Sequence, residues 1–341
     1  ETILEKDPHH PAALHYYIHV TEASAHPSLA LAGANRLKDD MPGVGHMVHM
    51  ATHMYQRNGL FAKGVKVNED ANTTVNHEDS LAPMLGLGRN KLIHIYAVQS
   101  YCALNAGMYG KGMPLYMRAR DRVVANKPLF EQDPNAQFVY MLPVMARVRL
   151  GKWDEILQAA PPDSRWTYAQ VLDHFARGMA NIRHKNLRAA KADLNALEKN
   201  LQDSLLAIRI MPANKPVQCG NIAAGILRAE ILFAEGSRDS AIAAFNQAVT
   251  EEDALIYMEP QEWLIPVRQY LGACLLKMNK ARQAEKVYRL DLDRNPGNGW
   301  SLLGLYQSLV AQHKPAQAAS FKTKYRKAFE ACDVNPVASA F

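Results

Sequence analysis

Three histidines stand within eight residues of GHMVHMATHMYQRNG, the segment from Gly45 to Gly59. They are His46, His49 and His53, and a methionine follows each of them. Residues three, four and seven positions apart on an α-helix share one face. The segment therefore predicts a stripe of imidazoles along one helix, and imidazole nitrogen is a common ligand of transition metals.

A second stripe is predicted in HYYIHVTE, which begins at His15. His19 follows one helical turn later, and Glu22 adds a carboxylate three residues beyond it. Neighbouring helices pack with about 8 to 10 Å between their axes. Metal–nitrogen bonds of about 2.0 to 2.1 Å would then be reachable from both stripes. His94 could complete the set from a third helix.

The predicted metal ligands are His15, His19, Glu22, His46, His49, His53 and His94. Ten of the thirteen histidines lie before residue 95, and crowded imidazoles lower one another's pKa unless a metal ion removes the repulsion. These donors exceed the needs of one four-coordinate ion. Two ions, or one ion with further catalytic groups, both remain open.

The identity of the metal also remains open at this point. Nitrogen donors with one carboxylate suit zinc, iron, copper or nickel. The thioethers of Met47, Met50 and Met54 are soft donors that suit copper, but they lie one position off the stripe and are expected to pack between helices. A cysteine-rich zinc site is not predicted, because the four cysteines are far apart in the sequence.

Composition narrows the class of protein. The 341 residues are 48% hydrophobic and 21% charged, which predicts an ordered chain. The net charge of +6 is scattered without basic blocks, so no nucleic-acid surface is predicted, and no apolar run approaches the roughly 18 residues of a membrane span. Walker, GxGxxG, GxSxG and HExxH motifs are absent.

The opening ETILEKDP is typical of a helix end, which predicts that residue 1 is not the natural start.

The chain repeats itself with a period near 34 residues, as between Pro8 and Pro42. The clearest units are 222–250 and 265–296. Small and aromatic residues recur in them at Ala229, Gly236, Ala241, Phe245 and Ala248, and at Leu271, Gly272, Ala284, Tyr288 and Pro296. Small residues let two helices approach closely, and aromatic residues fill the space between neighbouring hairpins.

These residues resemble the tetratricopeptide repeat over nearly the whole chain, and the HYYIH and GHxxHMxxH segments are similar to segments of bacterial tetratricopeptide proteins. The resemblance implies an all-α solenoid, a right-handed superhelix of about eight helical hairpins. We expect one continuous unit over 1–341, with candidate metal-site repeats over 11–105 and structural repeats over 106–341.

The repeat frame implies where the histidines point. His15 and His49 both occupy position 5 of their units, and His19 and His53 both occupy position 9. His46 and His94 fall at position 2 and Glu22 at position 12, and positions 2, 5, 9 and 12 line the concave groove of this repeat family. Tyr101 also falls at position 9. Glu22 and Tyr101 are therefore the candidate acid–base groups.

Two functions of different class follow. The first is a metalloprotein, with a metal-dependent hydrolase or oxidoreductase as the enzymatic possibility. The second is the usual role of the repeat family, an interaction scaffold that holds a peptide or helix in the groove and uses histidines as hydrogen-bonding clamps. A histidine cluster that responds to pH is a further hypothesis for the same residues. Substrate, compartment and oligomeric state are not predicted.

Overall fold

The computed structural model describes residues 1–81, 88–125, 127–208 and 214–341, without the side chains at 79, 88–91 and 127–129. Within these ranges the regular structure consists of α-helices and short 3-10 helices, and no strand occurs. The all-α prediction is confirmed.

The α-helices follow one another with short connections. They are α1 (Thr2–Lys6), α2 (Pro11–Glu22), α3 (Leu31–Asp40), α4 (Gly45–Arg57), α5 (Phe61–Leu81), α6 (Gly88–Asn105), α7 (Met113–Ala125), α8 (Pro134–Tyr140), α9 (Leu142–Arg149), α10 (Trp153–Gln158), α11 (Thr167–Arg183), α12 (Leu187–Asn200), α13 (Pro216–Ala234), α14 (Arg238–Asp253), α15 (Val267–Lys277), α16 (Ala281–Arg294), α17 (Gly299–Ala311) and α18 (Pro315–Ala328). The 3-10 helices are Pro27–Ala30, Lys127–Gln132 and Ser204–Ala207.

Consecutive helices pack as hairpins. The pairs are α2–α3, α4–α5, α6–α7, α9–α10, α11–α12, α13–α14, α15–α16 and α17–α18. Several connections use a glycine with positive φ, for example Gly107 at +72° and Gly151 at +68°, a conformation that other residues adopt only with strain. Each hairpin also packs on the next, so the chain forms a helical-repeat solenoid.

Small residues lie where the paired helices touch. An added Cβ at Gly225 in α13 would lie 2.9 Å from the Ala248 Cβ in α14. The Tyr288 ring of α16 lies between Gly272 of α15 and Gly304 of α17, where added Cβ atoms would lie 2.4 and 2.2 Å from its Cζ. The recurring small and aromatic residues of the sequence are thus the residues that set the spacing between helices.

The C-terminal repeats contact the first ones. Arg57 donates from Nη1 to the Arg294 carbonyl at 3.1 Å. Gly59 lies so close to Gly297 that a Cβ at Gly59 would sit 2.5 Å from the Gly297 carbonyl carbon. In the tail, the Ser339 carbonyl accepts a hydrogen bond from Arg149 at 3.0 Å. The solenoid therefore curls until its two ends meet.

This closure covers part of the surface that the repeat frame assigns to an open groove. The connection between α14 and α15 reaches the face of α4, where Gln56 Nε2 donates to the Tyr257 hydroxyl at 3.4 Å, a contact between residues 201 positions apart. The same connection carries Glu259. The α14–α15 connection therefore also covers the histidine stripes of α2 and α4.

One helix among the described residues, α13, is long and apolar enough to cross a membrane by length and composition. Most of it is buried against neighbouring helices, including Ile222, Ile226 and Leu227 at 0% exposure. A core helix of a globular protein has the same composition.

Candidate metal centre

The histidine stripes of α2 and α4 face each other because the two helices are the first helices of successive hairpins and pack side by side. The ring centroids of His15 and His46 are 5.1 Å apart. Those of His19 and His53 are 5.5 Å apart. The sequence-predicted convergence of the two stripes is therefore present in the structure.

Three half-buried imidazoles, which we call the outer trio, are His15, His19 and His46. One donor atom from each lies within 4.8 Å of the others. The Nε2 atoms of His15 and His46 are 3.0 Å apart. Two nitrogens bound to one tetrahedral ion at about 2.05 Å would lie about 3.3 Å apart, so this spacing needs little change to accept a metal.

A second group, which we call the inner trio, consists of His49, His53 and His94. Its donor atoms also lie within 4.8 Å of one another, and the His49 centroid is 4.7 Å from that of His53 and 4.9 Å from that of His94. His49 and His53 are 0% and 1% exposed, whereas His94, from α6, is half-buried. The predicted third helix thus supplies its imidazole to the pair on α4.

One nitrogen of the inner trio, His49 Nε2, has neither a hydrogen-bond partner nor an ion-pair partner among the described residues. His49 Nδ1 lies 2.6 Å from Asn68 Oδ1 in α5, so Nδ1 carries the proton and Nε2 is left with a lone pair. Nε2 is buried, with no hydrogen-bond partner in the described part of the chain. A buried polar atom without a partner costs about 1 to 3 kcal/mol. A metal ion bound to Nε2 would remove that cost.

Glu22 connects the two trios. Its carboxylate is 4% exposed, and its oxygens lie 2.8 Å from His19 Nδ1 and 2.8 Å from His53 Nδ1. Glu259 Oε2 lies 3.1 Å from the same His53 nitrogen. A third set of donor atoms within 4.8 Å is therefore formed by His19, Glu22 and Glu259.

Charge is divided unevenly among these groups. Burial disfavours the imidazolium form of His53, but the Glu22 and Glu259 carboxylates raise its pKa to about 10. Burial alone would raise the pKa of Glu22, yet its contacts with His19 and His53 hold it well below the usual range. Burial raises the pKa of Glu259, and the neighbouring Glu22 adds to this rise. His53 and Glu22 thus form a buried ion pair.

Three of the other imidazoles favour the neutral form, which is the form that binds metals. Burial, followed by the charge of His53, lowers the pKa of His94 to about 3. The same two causes place the pKa of His49 well below its ordinary value. Burial and the nearby His19 lower the pKa of His15. Lone pairs on these rings are therefore available at neutral pH.

The remaining sequence-predicted site residues lie elsewhere. Tyr101 is 4% exposed in the hydrophobic core, where its ring packs on Phe61 with centroids 6.1 Å apart, and no described contact joins its hydroxyl to either trio. Its predicted acid–base role finds no support in this geometry. Met50 and Met54 are fully buried in the core, as expected for residues that pack between helices.

Sequence reasoning missed Asn68 and Glu259. Asn68 lies on the buried face of α5, between Gly64 and Ala71, at 0% exposure. A polar residue at a core-facing position was the signal that could have found it. Glu259 had no such signal, because it belongs to the segment 106–341 that the sequence assigned only a structural role. It reaches His53 through the closure of the solenoid.

Comparison with known families and with curated proteins found no match. Among solved structures, the tetratricopeptide repeat domain of P58(IPK) is 14% identical, covering 89% of this chain and 91% of that one with a TM-score of 0.27. Naa15/Naa10 bound to HypK-THB is 14% identical with a TM-score of 0.28, and this chain spans only 60% of its length. Both TM-scores lie below 0.5, and neither likeness supports a conclusion about function.

The fold is tetratricopeptide-like. In the described residues, eight helical hairpins stack in sequence, and close contacts such as Gly225 on Ala248 and Tyr288 between two glycines set the helix spacing.

His94 is expected to lower the stability of the metal-free protein as the pH falls from 6.5 to 5. An unfolded chain takes up a proton on His94 near pH 6.5, whereas the folded chain does not until about pH 3. Stability therefore falls by about 2 kcal/mol over this window from His94 alone. His53 causes little change in stability between pH 6.5 and pH 5, because its pKa in the folded chain is about 10. The stability that its raised pKa contributes is already present below pH 6.5. Urea unfolding in the presence of chelator at each pH measures the slope.

The matched variant for this measurement is His94→Gln, which removes the titrating ring. Between pH 6.5 and pH 5, the change in the free energy of unfolding should be less unfavourable in this variant than in the wild type. The difference between the two proteins is the contribution of His94. An identical slope in the two proteins would show that His94 titrates normally in the folded chain.

Proposed function

We propose that this chain is a metalloprotein that binds one or two transition-metal ions through the histidine cluster of α2, α4 and α6. The observation that carries the proposal is the buried Nε2 of His49, which has a lone pair, no hydrogen-bond partner in the described chain, and imidazoles on two sides. Six imidazoles from three helices supply the donors. Zinc, iron and copper are the metals best suited to such a set.

The chemistry open to such a centre follows from its ligands. Three imidazoles leave at least one coordination position for water or substrate, the arrangement of catalytic zinc sites. A bound metal would then act as a Lewis acid in hydrolysis, or as a redox centre in oxidation. The half-buried outer trio is the side from which a small molecule could reach the metal.

Metal analysis tests the proposal. Protein purified without a polyhistidine tag, stripped with chelator and reloaded separately with Zn²⁺, Fe²⁺ or Cu²⁺, should retain at least one equivalent of one of these metals after gel filtration. The double variant His46→Ala/His94→Ala, which removes one donor from each group of three imidazoles, should retain at least 100-fold less at the same free metal concentration, because two ligands are lost and removal of even an orienting partner weakens binding 10- to 100-fold.

The matched control is His26→Ala/His77→Ala, which removes two exposed histidines outside the cluster. It should bind as the wild type does. Metal retained equally by all three proteins would place binding outside the cluster and contradict the proposal. Circular dichroism establishes that each variant is folded.

A second candidate function is the interaction scaffold, which a separate surface favours. A groove of about 720 Å³ runs between the start of α5 and the helices α16, α17 and α18. Leu60, Phe61, Leu302, Leu305 and Phe321 supply apolar side chains to it. An amphipathic helix or an extended peptide would fit such a groove. His49 and His53 are too deeply buried to act as peptide clamps.

Selection from a peptide display library tests the scaffold. Peptides that bind in this groove should be captured equally well with and without chelator, and Phe321→Asp should abolish their capture. Peptides whose capture requires metal, or survives Phe321→Asp, would contradict binding at this surface.

A further inference from the structure

We infer that the cluster holds two metal ions, one on the outer trio and one on the inner trio, and that Glu22, Glu259 and Asn68 orient imidazoles instead of binding metal. This inference rests on the proposed function and specifies its stoichiometry and its ligands. Each ion would be bound by three imidazoles, a donor set that suits zinc, iron or copper.

The grouping of donor atoms is the first argument for two ions. In the described chain, the imidazoles come together in threes, and each trio alone has its donor atoms within 4.8 Å. Between the trios, the His46 and His49 centroids are 6.5 Å apart and the His19 and His53 centroids are 5.5 Å apart. One four-coordinate ion cannot use six imidazoles. Two ions use all of them.

The oxygen atoms that contact the rings are the second argument. Oxygen atoms lie against Nδ1 in three of the rings: Glu22 against His19 and His53, and Asn68 against His49. A neutral ring whose Nδ1–H donates to an oxygen presents the lone pair of Nε2 on its opposite side. His53, which is charged in the metal-free protein, would present such a lone pair after it releases its Nε2 proton to bind a metal. This is the arrangement by which carboxylates and amides fix the ligating nitrogen of metal-bound histidines.

Electrostatics is consistent with this division of roles. Two divalent ions in adjacent trios would repel each other, and carboxylate charge between them would reduce that repulsion. Glu22 is in that place, because it contacts His19 of the outer trio and His53 of the inner trio. Glu259 lies beside it on His53. The carboxylates can offset the charge of the ions without occupying a coordination position.

The test uses Zn²⁺ as the probe, with native mass spectrometry and elemental analysis as readouts. Wild-type protein should bind two ions per chain. His46→Ala should bind one, because only the outer trio is lost, and His94→Ala should bind one, because only the inner trio is lost. Both positions are half-buried, so the exchanges disturb the core less than changes at His49 or His53. A variant with both substitutions should bind none.

The orienting residues need a separate readout. Asn68→Ala and Glu22→Gln should each keep two ions but weaken at least one of them 10- to 100-fold, measured by competition with a zinc chelator. Rescue toward wild-type affinity by Asn68→Asp, which restores an oxygen acceptor for His49 Nδ1, would support the orienting role. A complete loss of one ion from Glu22→Gln would make Glu22 a ligand and overturn that assignment.

The outcomes separate this inference from the proposed function. One ion in the wild type, lost entirely from both His46→Ala and His94→Ala, would overturn the two-ion centre and leave the metalloprotein proposal intact. No ion in the wild type under any loading condition would overturn both. If one single variant fails to fold, the wild-type stoichiometry and the other variant still decide between one ion and two.

Discussion

Replacement of Glu22 by alanine is expected to destabilise the metal-free protein by about 3 to 5 kcal/mol. The carboxylate is 4% exposed and lies 2.8 Å from His53 Nδ1, while His53 itself is 1% exposed. Because the pKa of His53 is raised to about 10, the ring is charged at pH 7.5. Without Glu22 that charge would have to be neutralised by Glu259 alone or lost. Urea unfolding at pH 7.5 with chelator measures the change.

The control for this prediction is the surface ion pair of Glu198 and Arg228, whose side chains are 40% and 48% exposed. Glu198→Ala should cost less than about 1 kcal/mol, because water screens an exposed pair. Glu22→Gln separates charge from shape, since it keeps the volume and removes the charge. If Glu22→Ala costs no more than Glu198→Ala, the buried ion pair described above does not stabilise the fold.

A second large effect is expected from Gly304→Ala, which should destabilise the protein by about 3 kcal/mol. The new Cβ would lie 2.2 Å from Cζ of the Tyr288 ring. That ring cannot move aside, because it is fully buried, its hydroxyl is hydrogen-bonded to Ser339 Oγ at 2.6 Å, and Gly272 closes its other face. The clash exceeds the roughly 1 kcal/mol that alanine gains over glycine in a helix. Thermal and urea unfolding measure the loss.

Gly43→Ala is the matched glycine control, since no heavy atom lies within 4 Å of the position of its Cβ. Its stability should change by less than about 0.5 kcal/mol. Metal content per folded chain should be unaffected by either glycine variant, because both positions lie outside the trios. Equal stabilities of Gly304→Ala and Gly43→Ala would show that the helices around Tyr288 separate easily, contrary to the close packing described here.

The sequence by itself determined the helical repeat and the faces on which the histidines lie. Helical periodicity places His15 and His19 on one stripe and His49 and His53 on another, because residues four apart share a face whatever the rest of the chain does. The 34-residue spacing puts those stripes at equivalent positions of successive hairpins. Hairpin stacking depends on neighbours close in sequence, so the local pattern is sufficient to predict it.

Only the tertiary structure decided how deep the cluster lies and what surrounds it. Asn68 contacts Nδ1 of His49 and Glu259 contacts Nδ1 of His53, and Glu259 comes from the distant half of the chain. That contact exists because small differences in packing at each repeat accumulate until the solenoid closes on itself. The sequence of a single repeat does not show this cumulative curvature. Tyr101 shows the same limit: the repeat pattern predicts that its side chain lies in the groove, but its ring packs on Phe61 in the hydrophobic core.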